Sequence, residues 1–129
     1  MTYLVDTDWV ASYLNGRADA IQLLNSVAPA GLAISLITYG EIYDGIYHGR
    51  TPSQAERGFK AFLTTARVLP LTRPIMRRFA RIRGDLRAQG MTIGDNDVMI
   101  AATALEHGLT LVSRNKVHFA RIAGLNLLP

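Results

Sequence analysis

The stretch Tyr3-Leu4-Val5-Asp6-Thr7-Asp8 is three apolar residues that run straight into two carboxylates. A short apolar run bounded by polar residues reads as a buried strand. A strand ending in a carboxylate sets that charge at one edge of a sheet. The pattern recurs at two distant places: Leu32-Ala33-Ile34 is followed, across Ser35-Leu36-Ile37-Thr38, by Glu41, and Ile93-Gly94 is followed by Asp95-Asn96-Asp97. Five of the ten acidic residues therefore stand just past short apolar runs. On neighbouring parallel strands or helix starts, three such ends converge on one point. Crowded carboxylates repel one another and unpaired buried charge is costly. A fold tolerates the arrangement mainly when a divalent cation sits between the acids.

Working outward, strands and helices are expected to alternate. Strands are expected at 2–6, 32–35, 68–71 and 109–113, with a last edge strand at 125–128. Helices are expected from Asp6 or Asp8 to Leu14, then at 18–27, 38–48, 52–65, 73–89, 95–107 and 117–122. Asn15-Gly16, Gly49, Gly90 and Gly108 supply stops, and Thr51-Pro52 and Thr72-Arg73-Pro74 supply starts. This alternation predicts an α/β fold, a small central parallel sheet with helices on both faces. Ligands of such sheets bind at the carboxyl ends of the strands, where the acids lie. Residues 1–129 are expected to form one domain.

Composition narrows the chemistry. The chain is 49% hydrophobic, enough for a core, and has no cysteine, which excludes disulfides, thiolate zinc sites and cysteine nucleophiles. That absence suits a reducing cytoplasm. The first charge arrives at Asp6 with no basic segment ahead of an apolar stretch, so no signal peptide is expected, and no apolar run reaches bilayer-spanning length. Net charge is +4 despite the clustered acids. The remaining surface is cationic, which suits a polyanion such as nucleic acid.

In order along the chain, four motifs resemble those of the PIN-domain ribonucleases, in particular the VapC-type toxins of bacterial toxin–antitoxin pairs. They are Tyr3-Leu4-Val5-Asp6-Thr7-Asp8-Trp9, Ser35-Leu36-Ile37-Thr38-Tyr39-Gly40-Glu41-Ile42, Ile93-Gly94-Asp95-Asn96-Asp97-Val98-Met99-Ile100-Ala101-Ala102, and Leu111-Val112-Ser113-Arg114-Asn115-Lys116-Val117-His118-Phe119. The resemblance implies a PIN-like three-layer α/β/α fold. It implies a metal-dependent endoribonuclease that hydrolyses RNA phosphodiester bonds, leaving a 5′-phosphate and a 3′-hydroxyl, and that a cognate antitoxin inhibits. It makes Asp6, Glu41 and Asp97 the carboxylates that hold Mg²⁺ or Mn²⁺. Asn115 stands at the fourth polar position, often an aspartate, where it brings no charge. Asp8, Asp95 and Ser113 become supporting residues. A homodimer is also implied.

Other readings stay open for the same residues. Thr38-x-x-Glu41 is also a capping box, Asp95 is also a helix N-cap, and Asp97 also suits a first helical turn. Arg114 and Lys116 flank the fourth position and are candidate RNA phosphate contacts. Arg73, Arg77 and Arg81 share one helix face, which either follows a phosphate backbone or is simply solvated. Tyr39, Tyr43 and Tyr47 are spaced for core or dimer packing, for an antitoxin groove, or for base stacking. His48, His107 and His118 are not assigned to catalysis.

Two rival functions fit parts of the sequence. Asp6-Thr7-Asp8-Trp9-Val10 matches the nucleophile motif of haloacid-dehalogenase-like phosphohydrolases, in which Asp6 would attack the substrate phosphoryl group and become phosphorylated, with Asp8 as acid/base. Glu41 has no role there, and the lysine that chemistry needs is poorly met. A non-catalytic RNA- or partner-binding module is the other rival.

Overall fold

The computed structural model describes all 129 residues. Four parallel strands form one sheet: β1 (Tyr3–Val5), β2 (Leu32–Ser35), β3 (Ala66–Leu69) and β4 (Thr110–Val112), in the order β3-β2-β1-β4. The seven α-helices are α1 (Thr7–Leu14), α2 (Ala18–Val27), α3 (Leu36–Tyr47), α4 (Pro52–Phe62), α5 (Arg73–Ala88), α6 (Asp95–His107) and α7 (Lys116–Phe119). No helix is long and apolar enough to cross a membrane.

Strand alternation builds the layers. Leu4, Ala33 and Leu111 face one way, into a core with Leu86, Val98, Ala101 and Phe119 of α5, α6 and α7. Val5, Leu32 and Ile34 face the other way, into a core with Val10, Leu24, Ile42, Phe59 and Phe62 of α1 to α4. Two apolar clusters thus sandwich the sheet, the three-layer α/β/α arrangement expected.

The strand order sets the position of the site. From β1 the chain winds outward through β2 to the edge strand β3, then returns to place β4 on the other side of β1. Winding therefore reverses between β1 and β4. At such a switch point loops leave the strand ends in opposite directions and open a crevice.

Several elements differ from expectation. Leu125–Leu128 forms no strand; only Leu127 bridges to Leu111, with backbone bonds from Leu111 N–H to Asn126 and from Leu128 N–H to Leu111. β3 begins two residues earlier than expected, because Ala66 and Leu69 are the positions it buries. α3 starts at Leu36, not Thr38, since the buried Ser35 hydroxyl accepts the Ile37 N–H at 3.1 Å and caps the helix. The Thr38 capping box does not form. Asp95 is inside α6, whose N-cap is Gly94.

The tyrosine row of α3 divides. Tyr39 and Tyr43 pack on buried Phe59 of α4, with ring centroids 5.7 and 5.5 Å away. The Tyr43 hydroxyl donates to Glu56 at 2.8 Å. Tyr47 is 66% exposed. Phe59→Ala should therefore lower stability by about 3–5 kcal/mol, whereas Tyr47→Ala should change it by less than about 1 kcal/mol. Urea unfolding of the two variants checks the contrast; equal losses would mean that the exposed ring carries structural weight.

Candidate active site

The crevice gathers groups from the ends of β1 and β4 and from α1, α3, α6 and α7. Asp6 closes β1 and caps α1: Oδ1 accepts the Thr7 N–H at 2.8 Å. Its other oxygen, Oδ2, accepts the Ser113 hydroxyl at 2.7 Å across the switch point from the end of β4. The Ser113 Oγ accepts the Asn115 N–H at 3.0 Å. Asp6, at 5% exposure, is thus held on one oxygen by the start of α1 and on the other by the loop after β4. Its own N–H donates to Val112 at 2.9 Å.

Glu41 comes from the second turn of α3 and is exposed. The Thr7 hydroxyl donates to Glu41 Oε1 at 2.7 Å and lies 3.0 Å from the buried Thr38 hydroxyl. Asn96 Nδ2 reaches Glu41 Oε2 at 3.4 Å. Without a capping-box role, the Glu41 carboxylate is turned to the α1 and α6 starts. Asp97, in the first turn of α6, is half-buried, with the Asn115 side chain beside it easing its charge. Asn115 Nδ2 also lies 2.8 Å from His118 Nδ1.

Electrostatics show how strained this grouping is. Burial pushes the Asp6 carboxyl up to about 6, offset in part by its Ser113 and Thr7 hydrogen bonds; the Asp97 and Asp8 charges raise it further. Burial also raises Asp97, and the Glu41 and Asp8 charges add to it. Each carboxylate thus feels another, linking all four acids in one field.

The other expected residues fall as follows. Asp8 is exposed and acts through charge. Asp95 is ion-paired to Arg83 of α5, which turns it out of the cluster. The Arg114 guanidinium lies on α1 and α2, over Trp9 and beside Asp19. Lys116 is exposed and has no acidic partner. On α5, Arg78 pairs with Glu106, while Arg73, Arg77 and Arg81 are exposed and unpaired. Sequence reasoning missed Thr7, Asn96 and His118. His118 had a signal, standing three residues after Asn115 across the start of a helix.

The donor set is three carboxylates and an amide, all hard oxygens, which match Mg²⁺ or Mn²⁺ in chemistry. As they stand, no three acidic or histidine side chains are gathered tightly enough to chelate an ion. Ligation therefore requires side-chain rotation, for which exposed Glu41 has room. Beside it runs a groove of about 600 Å³ between α1, α3 and α4, lined by Thr7, Ala11, Glu41, Ile42, Ile46 and Gly58 among others.

The raised Asp6 carboxyl makes a signed prediction for chelator-treated protein. Its folded form binds a proton more tightly than the unfolded chain, so its contribution is full below about pH 4 and is lost as pH rises through about 6. Ionised Asp6 should then oppose folding by about 3 kcal/mol at most. Asp6→Asn should match wild type near pH 4 and exceed it by about 1–3 kcal/mol at pH 7. Denaturant unfolding across that range measures it; a variant weaker than wild type at pH 7 would show the carboxylate to be stabilising.

Comparison with known proteins gives a consistent picture. A sequence profile of the PIN domain matches residues 3–125. The chain is 30% identical over 125 residues to ribonuclease VapC2 of Haemophilus influenzae, covering 97% of this chain and 95% of that protein. It superposes with a TM-score of 0.91 and 26% identity on VapBC2 from Rickettsia felis bound to a fragment of promoter DNA, covering 99% of this chain and 98% of that one. VapBC-1 from nontypeable Haemophilus influenzae gives 0.88 and 26%, with 99% and 97% covered.

Proposed function

The chain belongs to the PIN-domain family, and from that premise we propose that it is an endoribonuclease, the toxin of a toxin–antitoxin pair. The observation that carries this reading is Asp6, a buried carboxylate fixed at the switch point between β1 and β4 with its proton affinity raised by its surroundings. Capping α1 does not require a carboxylate buried among other acids, and the placement suits charge-compensated hydrolysis.

Asp6, Glu41 and Asp97 would hold Mg²⁺ or Mn²⁺. Bound there, the ion would supply Lewis acidity, neutralising charge on the scissile phosphate and lowering the pKa of water. Asp6 anchors the site, since its two hydrogen bonds leave it little freedom. Thr7 holds Glu41 by one oxygen. Asn115, beside Asp97, eases its charge without adding a fourth carboxylate. Asp8 adds to the acidic field. Ser113 fixes Asp6 and the Asn115 backbone together. Lys116, exposed and without an acidic partner, would meet a phosphate of the RNA. Asp95 supports from outside, tying α6 to α5.

The partner reading follows from the groove. It opens onto Glu41 and is floored by Ala11, Ile42, Ile46 and Gly58. An antitoxin segment with an apolar face would seat there and bring a cation to the acids. The similar solved structures include VapBC assemblies, which favours such a partner here. We place this one-domain protein in the cytoplasm, as a homodimer.

Cleavage decides among the rivals. With Mg²⁺ or Mn²⁺ the chain should cut RNA and leave p-nitrophenyl phosphate untouched. Asp6→Asn and Asp97→Asn should lower cleavage by more than about 100-fold while keeping the folded circular-dichroism spectrum. Phosphatase turnover without RNA cleavage would favour a phosphohydrolase with Asp6 as nucleophile; RNA binding without cleavage would favour a binding module.

A further inference from the structure

Arg114 is the middle residue of the Ser113–Asn115 linker, which joins β4 to α7 outside either element. Its two neighbours face the acids: the Ser113 hydroxyl donates to Asp6 Oδ2 at 2.7 Å and accepts the Asn115 N–H at 3.0 Å, and the Asn115 side chain lies beside Asp97. Arg114 itself has no backbone hydrogen bond within the chain. Only its side chain anchors it.

That side chain is fully engaged. The guanidinium carbon lies 3.7 Å from the centre of the Trp9 ring, a close cation–π stack. Nη2 donates to Asp19 Oδ2 at 3.0 Å and to Ser12 Oγ at 3.4 Å. The hydrogen bond from Arg114 holds the Asp19 carboxyl below the usual range, as a formed pair requires. Trp9 and Ser12 sit on α1, the helix that Asp6 caps, and Asp19 on α2. The linker is therefore pinned on its outer side to the same helix whose N-cap, Asp6, it holds on its inner side.

We propose that Arg114 is a positioning residue, clamped on Trp9 and Asp19 so that Ser113 holds Asp6 and Asn115 stays beside Asp97, and not a contact to RNA. The inference rests on the ribonuclease reading. An exposed ion pair adds little to global stability, so the clamp acts on linker position. Its planar stack is a property of arginine that lysine lacks.

Trp9, the only tryptophan, reports on the clamp by its fluorescence. Wild type, Arg114→Met, Arg114→Lys and Asp19→Asn are compared with Mn²⁺ and a labelled RNA at several salt concentrations. Arg114→Met should shift Trp9 emission, lower kcat at least about 10-fold, and leave the RNA KM within about twofold and the melting temperature within about 2 °C. Asp19→Asn, which touches no substrate, should lower kcat less, and Arg114→Lys should recover part of the loss. A raised KM with unchanged kcat and a salt slope reduced by about one would overturn the proposal in favour of a phosphate contact. Unchanged kinetics would overturn it in favour of a plain surface residue. If wild type cuts no RNA, the ribonuclease reading fails on its own, and the clamp is judged by Mn²⁺-induced thermal stabilisation. A smaller shift in Arg114→Met supports it; an equal shift rejects it.

Discussion

Like charge brought together at the carboxyl edge of a parallel sheet is the constraint on which the rest of the molecule depends. Asp6 sits at the end of β1, in the one place where β1 and β4 part company. Solvent reaches only 5% of it, and Asp97 and Asp8 add unfavourable charge. Left alone, a carboxylate in that setting destabilises the fold. Two hydrogen bonds relieve part of the strain, from Thr7 N–H and the Ser113 hydroxyl. A hard divalent cation would supply the remainder of that compensation.

The apolar cores exist on either side of this edge and hold it still. Alternating residues of β1 and β2 feed two separate clusters, so a register slip in either strand would turn core residues to the wrong layer. Fixing β1 between β2 and β4 fixes where Asp6 emerges. Ser35 caps α3 at the end of β2 and thereby sets where Glu41 lies on that helix. Gly94 opens α6 one residue before Asp95, which puts Asp97 in the first turn, where the helix dipole favours negative charge. Arg83 draws Asp95 aside, so one fewer acid crowds the crevice.

Sequence alone revealed the layers and the convergence because both are written in short-range pattern: apolar runs, glycine stops and acids directly behind them. It misjudged features that depend on partners distant in the chain. Leu125–Leu128 has strand composition, but β4 ends at Val112 and offers it only a bridge. The Thr38-x-x-Glu41 spacing suggests a capping box, yet Ser35 takes the cap and Thr38 is buried against Thr7. Arg114 has the look of a rim cation, while Asp19, nearly a hundred positions away in sequence, claims it at 3.0 Å. His118 has no catalytic assignment from sequence, yet it stands 2.8 Å from the Asn115 amide. In each case local pattern identified the group and tertiary pairing chose its use.

A direct test of the charge constraint is calorimetric titration of chelator-treated protein with MnCl₂, wild type beside Asp6→Asn. Saturable binding to wild type that disappears in Asp6→Asn is the predicted result. Equal affinity for the two proteins, or no uptake by wild type at millimolar metal, would contradict it.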